Sequence, residues 1–467
     1  MKYDVAIIGS GFAGSILAWI LAKRGRRVAL IDSIQHPRFA IGESSTPIAD
    51  MLLRHLGEKH SISQLVDLAT YGTWQRRQSG IACGKKRGFS YYRHRPNEPF
   101  ADCDQHSNSL LVAASPSDEL SDTHWYRTET DQYFFNSAID QGAADLSGHH
   151  VTQVTLGDVN QVSFSNQPAI HCDYLIDASG SSCVTGRLLG AADRTGELRT
   201  NTHSIFAHYR DVASWSAIHG SDDDPFDGDD AAQHHLMVDG WLWMLRFNNG
   251  ITSVGLTTGI DSRFNFPFTD YPSIAKMFDA ASIVGPSDTL ITTGRLQRFF
   301  EPVLSRRCWM LPTAAVTIDP LHSTGIAHAL AGVDRSVDLI LSGAKAESVN
   351  AYGKTVCEEA KSLDRLVHCA YKSINDFPRF TAACMLYFAG AIVCEERFQA
   401  GDRPSHLWNF DDPSFIKIVD DYANQFPQLS STPQLVDRLR RDIKPWNTAG
   451  LLDHCVRNRY AYTATKS

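Results

Sequence analysis

The chain has 467 residues, 43% of them hydrophobic and 21% charged, with a formal net charge of −8. This is the composition of a folded globular protein that is long enough for two or three domains. The negative charge argues against nucleic acid and anionic membrane surfaces as partners. The ten cysteines include no Cys-x-x-Cys pair, and we therefore expect reduced thiols and no metal site.

Two further expectations concern location. The N-terminus does not show the basic and apolar pattern of an export signal, and this indicates a cytoplasmic protein. The longest apolar run, from Thr381 to Cys394, is shorter than the roughly 20 residues that cross a bilayer. We expect a buried helix there and no membrane span.

The first elements in chain order form a βαβ unit. Val5–Ile8 and Val28–Ile31 are short apolar runs typical of strands, and Phe12–Arg24 between them has the apolar spacing of a helix. Such a unit implies a parallel sheet with a right-handed crossover. Further along, Pro47 suits the first turn of another helix.

The loop between the first strand and the first helix carries the pattern Gly-x-Gly-x-x-Gly. These glycines permit a tight turn, a close approach of the backbone to a pyrophosphate, and close packing of helix on strand. The helix N-terminus then offers unpaired N–H groups to the phosphates. An acidic residue ends the second strand, where it can hold ribose hydroxyls. The candidate cofactor residues here are Gly9, Gly11, Phe12, Ala13, Gly14 and Asp32.

Two later stretches favour FAD as the dinucleotide. Tyr174–Gly180 is an apolar strand closed by Asp177 and a turn of small residues, and Ile318–Ile326 places an acidic residue before a helix start. Their order and separation are typical of an FAD-binding fold, although Asp177 is also compatible with an Asx turn at the strand end. A second glycine loop for a nicotinamide cofactor is not indicated. These stretches add the candidates Asp177, Asp319, Pro320, Gly325 and Ile326.

The middle and end of the chain predict a second, interwoven unit and a helical tail. Residues 76–125 are aromatic, basic and loop-rich, and a helix is expected at Asp131–Gln141. Residues 200–300 show the alternation of strands, interrupted by Asp222–Asp230, which we interpret as a solvated loop. We therefore assign FAD-binding parts at about 1–75, 126–190 and 290–345, substrate-domain parts at about 76–125 and 191–289, and a helical region at 346–467.

Several ordered segments carry a family resemblance. They are His36–Ser45, Gly84–Phe89, His124–Asp131, Gly240–Asn249 and Asp319–Gly325. Together they resemble the flavin-dependent halogenases, and most closely the phenol and pyrrole branch of the aminopyrrolnitrin 3-halogenase type. The resemblance implies an α/β fold like that of p-hydroxybenzoate hydroxylase, with an FAD-binding Rossmann-like part and a β-rich substrate domain. It adds the cofactor candidates Arg38, Ile41, Gly42, Glu43, Ser44 and Arg127.

The family also implies a reaction. FAD, reduced by a separate flavin reductase, and dioxygen oxidise chloride or bromide, which is held at backbone N–H groups corresponding to Thr324 and Gly325. A lysine directs the hypohalous species to an electron-rich aromatic substrate, phenolic or pyrrole-like, free or attached to a carrier. The resemblance places this lysine at Lys86, with Lys85 as the fallback. Two surface lysines in a basic turn are the alternative interpretation.

Three further catalytic candidates complete the predicted site, and two positions depart from the pattern of the family. Trp241 and Trp243 match a Trp-x-Trp segment that separates substrate from flavin in the family, although they also suit simple core packing. That segment normally ends in proline, and Arg246 here is expected to alter the strand or to line a polar channel. His322 stands where tryptophan-halogenating members carry glutamate. An imidazole can act as a base on a phenol, whereas a hydrogen-bonded loop histidine is the alternative.

Other functions remain compatible with the sequence. An FAD-dependent aromatic hydroxylase would let the substrate reach the flavin directly, without need of the lysine. A reductase of the geranylgeranyl type shares the fold but not the lysine segment. A non-catalytic flavoprotein would use its helical tail to dock a partner. Formation of a halide-dependent product separates the halogenase from all three.

Overall fold

The computed structural model describes residues 1–103, 105–238, 240–261, 269–425 and 431–461. The strands are β1 (Lys2–Ile8), β2 (Val28–Asp32), β3 (Cys83–Lys86), β4 (Gly88–Arg93), β5 (Ser109–Ala113), β6 (Asp122–Trp125), β7 (Ala144–Ser147), β8 (Val151–Thr155), β9 (Asn160–Phe164), β10 (Ile170–Asp177), β11 (Thr202–Arg210), β12 (Ala231–Met237), β13 (Gly240–Arg246), β14 (Thr252–Gly259), β15 (Ser282–Gly285), β16 (Ile291–Thr292), β17 (Arg298–Phe299), β18 (Val303–Ser305), β19 (Cys308–Met310), β20 (Val316–Thr317) and β21 (Arg459–Tyr460). The α-helices are α1 (Phe12–Lys23), α2 (Pro47–His60), α3 (Ser63–Asp67), α4 (Tyr71–Arg77), α5 (Arg127–Asp140), α6 (Val184–Leu188), α7 (Ser216–His219), α8 (Pro272–Met277), α9 (Pro312–Ala315), α10 (Gly325–Leu341), α11 (Ala346–Tyr371), α12 (Phe377–Gln399), α13 (Pro413–Gln425) and α14 (Thr432–Asp442).

The first sheet contains the predicted βαβ unit. Its strands follow the order β18-β19-β10-β1-β2-β7, and β8 and β9 extend it from β10. β19, β10, β1, β2 and β7 run parallel. β2 is buried along its whole length, and α1 packs between the sheet, α5 and α10. The glycine loop, Asp32 and Asp177 consequently meet at the carboxyl edge of the parallel strands, where open α/β sheets bind ligands.

The second sheet is formed mainly by the predicted substrate-domain parts of the chain. Its strands follow the order β15-β11-β14-β13-β12-β4-β5-β21, with β16 beside β11. Alternation divides it into two faces. Phe89, Trp241 and Trp243 belong to the main core beneath the C-terminal helices, whereas Leu242 and Met244 belong to a separate cluster on the opposite face. The predicted combination of an FAD-binding sheet, a β-rich part and C-terminal helices is confirmed.

Two features of the middle of the chain differ from the sequence predictions. Residues 76–125 are loop-rich as expected, but they also contain β3 to β6, and β4 pairs with β12 more than a hundred residues away. Short strands with such distant partners leave little local pattern. The helix expected at Asp131 begins one turn earlier, at Arg127.

The C-terminal region is predominantly helical and packs on both sheets. α12 has 23 residues and, by length and composition alone, could span a membrane, but 83% of its most apolar stretch is buried inside the protein. It is thus longer than the predicted run from Thr381 to Cys394 and is a core helix of the structure. After α14 the chain returns to the second sheet, where β21 pairs with β5.

Candidate functional site

The glycine loop is sterically restricted to glycine at two positions. Gly9 has φ +106°, and a Cβ there would lie 2.4 Å from the backbone carbonyl carbon of Ala178. A Cβ on Gly14 would lie 1.9 Å from the carbonyl oxygen of Gly9. Both distances are far inside van der Waals contact, so the turn exists only because these side chains are absent. α1 then begins without a side-chain cap among the described residues, and its first N–H groups are free for a phosphate.

Acidic and basic side chains surround this loop. Asp32 Oδ2 accepts hydrogen bonds from Ser10 N at 2.8 Å and from the Arg38 guanidinium at 2.9 Å. A Cβ on Gly11 would lie 3.5 Å from Asp131 Oδ2 and 3.8 Å from the Arg38 guanidinium. Asp32 therefore holds the loop and Arg38 at the edge of the sheet, which places a cation where a dinucleotide phosphate would lie.

The segment from residue 38 to residue 46 presents unpaired polar atoms. Four buried side-chain atoms lack a hydrogen-bond partner among the described residues, namely Arg38 Nε, Glu43 Oε2, Ser44 Oγ and Thr46 Oγ1. Buried donors and acceptors are normally paired. A row of unpaired ones beside the glycine loop fits a long polar ligand such as FAD.

Arg127 fixes the path of this segment. Its guanidinium donates to the carbonyl oxygens of Ile41 and Gly42, each at 2.9 Å, and pairs with Asp131 at 2.7 and 2.8 Å. The same group lies 4.7 Å from the ring centre of Phe12. Arg127 and Phe12 thus connect the segment to the start of α1, while Ile41 itself remains 41% exposed.

Glu43 forms a buried pair that the sequence did not suggest. Its Oε1 lies 2.8 Å from Nε2 of His208 on β11, and the two residues are 2% and 4% exposed. The ring of Phe39 lies 5.1 Å from the imidazole of His208. A carboxylate held against a histidine inside the protein is a positioned hydrogen-bonding group beside the cofactor segment.

Asp177 supports the cofactor site indirectly. It is fully buried, and its carboxylate accepts hydrogen bonds from the backbone and hydroxyl of both Ser179 and Thr185. This is the Asx turn that the sequence left open. The turn in turn holds the Ala178 backbone against Gly9, so we assign Asp177 to loop geometry and not to direct contact with a cofactor.

Lys85 and Lys86 have opposite environments on β3. Lys86 is fully buried, and its Nζ donates to the Ser45 carbonyl oxygen at 2.5 Å and lies 4.0 Å from the ring centre of Phe89. Lys85 forms surface ion pairs with Asp118 and Asp230, each at 2.7 Å. Neighbouring residues of a strand point to opposite faces, and here one amine enters the core while the other is solvated.

Aromatic side chains extend from Phe89, which lies 4.0 Å from the Lys86 amine, toward the C-terminal helices. We call them the aromatic cluster, which consists of Phe89, Tyr91, His234, Trp241, Phe380, Tyr387 and Phe388. The ring centres of Phe89 and Phe388 are 5.3 Å apart, and those of Tyr91 and Phe380 are 5.5 Å apart. The second sheet and α12 thus contribute opposite walls, so the C-terminal region forms part of the site.

The two tryptophans of β13 lie on the face that carries the aromatic cluster. Trp241 stacks on His234 with ring centres 4.8 Å apart, and its ring centre is 6.1 Å from that of Trp243. Trp243 lies directly over Gly255, where an added Cβ would be 2.1 Å from the indole. The two tryptophans therefore belong to the hydrophobic core and also border the aromatic cluster.

Arg246 does not line a channel and does not break its strand. β13 continues through Arg246, and the guanidinium donates to Asp229 at 3.0 Å and to the carbonyls of Val212 and Ala213. Asp229 is only 8% exposed. The expectation of a solvated loop at Asp222–Asp230 is therefore wrong at Asp229, which is a buried acceptor for this arginine.

The loop before α10 carries the remaining candidates. Asp319 caps the short turn at Pro320 by accepting from Leu321 N at 3.1 Å. Burial raises the pKa of Asp319 to about 6. Thr324 precedes Gly325, the first residue of α10, and a Cβ at Gly325 would meet nothing within 4 Å. The helix start is therefore open, and Ile326 behind it is buried.

His322 has an unsatisfied imidazole. It is 1% exposed and stacks on Tyr387 with ring centres 4.2 Å apart and planes 4° from parallel. Neither ring nitrogen has a hydrogen-bond partner among the described residues. Burial lowers the pKa of His322 to about 3, so the ring is neutral at physiological pH and can accept a hydrogen bond from a ligand.

Sequence reasoning missed several residues that build the site. They are Ser45, His208, His234, Tyr371 and Tyr387. His208 and His234 stand in apolar strands, and a titratable residue at an inward position was the one available signal. Tyr371 and Tyr387 have the ordinary pattern of core positions in long helices.

Comparisons with known proteins agree with this geometry. Residues 4–231 match the family model of FAD dependent oxidoreductases. The chain is 26% identical to the tetracycline 7-halogenase of Kitasatospora aureofaciens over 475 residues, which cover 93% of this chain and 83% of that protein. It is 25% identical to the monodechloroaminopyrrolnitrin halogenase PrnC of Pseudomonas fluorescens, with 97% and 84% covered.

A solved structure extends the likeness over the whole fold. The halogenase PltM, in complex with phloroglucinol and FAD, superposes with a TM-score of 0.87 at 24% identity and covers 99% of this chain and 100% of its own. The predicted fold is confirmed by this superposition, and FAD as cofactor is supported by the family model over residues 4–231. The roles of the individual site residues stay predictions, and the structure gives the position and contacts of each residue.

Proposed function

We propose that this chain, which belongs to the flavin-dependent halogenases, halogenates an electron-rich aromatic molecule by delivering an oxidised halogen through Lys86. One observation carries the proposal. The Lys86 amine is fully buried beside Phe89 of the aromatic cluster, whereas the adjacent Lys85 is paired at the surface. A buried amine beside aromatic rings is costly to maintain, and a reaction that needs a positioned N–H group explains its presence.

The cofactor residues follow from the unpaired atoms and open backbone of the first sheet. The glycine loop and the start of α1 would receive the pyrophosphate, and Arg38, Glu43 and Ser44 would hydrogen-bond the rest of the molecule. Bound reduced FAD supplies, with dioxygen, the two-electron oxidation of chloride or bromide. A separate flavin reductase would reduce it, and we expect both proteins in the cytoplasm.

The halide site is assigned to the start of α10. The backbone N–H groups at Thr324 and Gly325 provide donors, and the positive end of a 17-residue helix favours an anion. Gly325 leaves this space open. An anion here lies on the same loop as His322, which places oxidation and substitution at neighbouring positions.

Lys86 would hold the hypohalous acid by a hydrogen bond and present its halogen to the substrate ring. The carbon–halogen bond forms as the oxygen–halogen bond breaks, and the displaced oxygen leaves as water with the ring proton. The aromatic cluster excludes solvent that would otherwise dilute the oxidant. A phenol or a pyrrole is preferred because the positive charge that develops on the ring needs an electron-donating group.

His322 would accept a hydrogen bond from that donor group. Its neutral imidazole has no partner among the described residues, and a phenol O–H or pyrrole N–H would satisfy one nitrogen. This hydrogen bond polarises the donor group and increases the electron density of the ring. A neutral hydrogen bond of this kind contributes about fivefold in rate.

The test is a reaction with purified protein, a flavin reductase, FAD, dioxygen and a panel of phenols and pyrroles, with and without bromide. We expect a brominated product that requires bromide. In His322→Phe the rate with a phenol should fall about fivefold, while the methyl ether of the same phenol should react equally slowly with both proteins. A product heavier by one oxygen atom and indifferent to bromide would establish a hydroxylase and overturn the proposal.

A further inference from the structure

A hydrogen-bonded chain joins three segments that are distant in sequence. Trp241 Nε1 donates to the Tyr371 hydroxyl at 2.7 Å, and the Tyr371 hydroxyl donates to Asp319 Oδ2 at 3.0 Å. Thr202 Oγ1 donates to the same carboxylate oxygen at 2.8 Å. The chain connects the tryptophan wall on β13, the last residue of α11, and the loop that leads to Thr324 and Gly325.

The direction of this chain has one solution. An indole N–H can only donate, so the Tyr371 oxygen must accept from Trp241 and send its own proton to Asp319. Burial raises the pKa of Tyr371 well above its ordinary value, and the hydroxyl therefore remains a donor. Because no donor and acceptor can exchange roles, the three side chains have a single low-energy arrangement.

The two ends of the chain are shielded from water, and Tyr371 between them is partly buried. Trp241 is 1% exposed and Asp319 is 8% exposed. A buried carboxylate costs stability unless its oxygens are hydrogen-bonded, and here Tyr371, Thr202 and Leu321 N fill this role. Removing the Tyr371 hydroxyl leaves the Trp241 N–H without its acceptor and weakens the hold on Asp319.

From this geometry we infer that Tyr371 is a positioning residue that couples the Trp241 indole to the halide loop. The inference rests on the proposed function, because it concerns where the oxidised halogen goes. With the Tyr371 hydroxyl present, the Trp241 indole and the halide loop are fixed relative to each other. The oxidised halogen then follows a single path toward the aromatic cluster. Without the hydroxyl, the wall and the loop move independently and oxidant escapes to solvent before it meets the substrate.

The test compares Tyr371→Phe with a matched control, Tyr422→Phe. Tyr422 is also a buried tyrosine whose hydroxyl donates to a carboxylate, that of Asp442 at 3.1 Å, within the C-terminal helices. In Tyr371→Phe we expect the brominated product formed per reduced FAD consumed to fall about fivefold, the equivalent of one net hydrogen bond. The apparent KM for bromide should rise by a similar factor. The control should stay within about twofold of the natural protein.

A double variant separates coupling from general destabilisation. In a Trp241→Phe background, Tyr371→Phe should cause no further loss of product per reduced FAD, because the partner is already absent. Multiplicative losses, an unchanged ratio in Tyr371→Phe, or an equal loss in Tyr422→Phe would each overturn the inference.

A second measurement needs no halogenation. The near-ultraviolet circular dichroism of Trp241 is obtained as the difference between the natural protein and Trp241→Phe, both without FAD. The same difference is measured in the Tyr371→Phe and Tyr422→Phe backgrounds by adding Trp241→Phe to each of them. We expect the Trp241 contribution to disappear in the Tyr371→Phe background and to persist in the Tyr422→Phe background. Its persistence in the Tyr371→Phe background would contradict the inference. If the natural protein forms no brominated product at all, the proposed function fails, and this spectrum still decides whether Tyr371 positions Trp241.

Discussion

The cofactor side and the substrate side of the site are built in different ways. On the cofactor side, loops at the carboxyl ends of parallel strands leave backbone N–H groups and four buried polar atoms without partners among the described residues. On the substrate side, Lys86 is fully buried with its amine 4.0 Å from the ring of Phe89, and Phe89 in turn lies 5.3 Å from Phe388 on α12. The first is an open polar cradle, and the second is a buried, mainly aromatic region beside one amine, which we call the chamber.

This difference separates cofactor binding from choice of substrate. The cradle uses groups that are local in sequence, so its chemistry is shared by many FAD proteins. The chamber depends on contacts between β3, β4, β12 and the C-terminal helices. Changes in the C-terminal region can therefore alter the substrate without altering FAD binding, and each prediction below disturbs one side alone.

The largest expected effect comes from closing the cradle. Gly14→Ala places a Cβ 1.9 Å from the Gly9 carbonyl oxygen, so the loop must move from the position that receives the pyrophosphate. We expect the FAD dissociation constant to rise at least about 100-fold, measured by fluorescence titration. Gly196→Ala is the control, since its Cβ would meet nothing within 4 Å. Equal FAD affinity in both variants would refute this view of the cradle.

A smaller effect concerns Arg246 at the end of β13. Its guanidinium binds Asp229 on the face of the second sheet that is opposite to the aromatic cluster. Arg246→Ala removes the partner of Asp229 and should lower the free energy of unfolding by about 2 kcal/mol, because the arginine is partly solvated. Urea denaturation measures this loss. Bromination per folded molecule should stay within about twofold. A selective loss of bromination at unchanged stability would show that Arg246 acts in the site instead.

The third effect is a gradual one, a pH dependence of stability. Burial lowers the pKa of His94, His124 and His322 to about 3 each, against about 6.5 in the unfolded chain. The unfolded state thus binds more protons below pH 6.5, and stability falls as the pH decreases. Asp319, whose pKa burial raises to about 6, contributes in the opposite sense between about pH 4 and pH 6.

Urea denaturation between pH 7 and pH 5 checks this sign. The natural protein should lose stability as the pH decreases, and His322→Gln should flatten the slope by about 1.4 kcal/mol per pH unit below about pH 6. An identical slope in the two proteins would mean that His322 binds equally many protons in the folded and unfolded states, which would contradict the buried, neutral imidazole described here.

The sequence predicted the cradle far better than the chamber. The βαβ unit, the glycine loop and the helix start at Gly325 are short, contiguous patterns, and each element forms where the pattern placed it. The Asx turn at Asp177 was one of the two interpretations that local reasoning offered, whereas the continuation of β13 through Arg246 was not expected. Local physics decides these features, since a few neighbouring residues determine the backbone path.

The chamber could not be derived in this way. Tyr371 contacts Trp241 across 130 residues of sequence, and Tyr387 meets His322 through a helix whose apolar pattern indicates only burial. Residues 76–125 were expected to be loop-rich, and the strands within them were not predicted. These strands gain stability from partners far along the chain, so they leave little local pattern. The resemblance singled out Lys86, but only the fold distinguishes its buried amine from that of Lys85.

The most direct measurement compares Lys86→Met with Lys85→Met under identical conditions, with bromide, a flavin reductase and a phenol. We predict that Lys86→Met loses brominated product at least about 100-fold while it still consumes reduced FAD, and that Lys85→Met keeps nearly full bromination. Bromination by Lys86→Met at the natural rate and ring position would contradict delivery of the halogen by this amine.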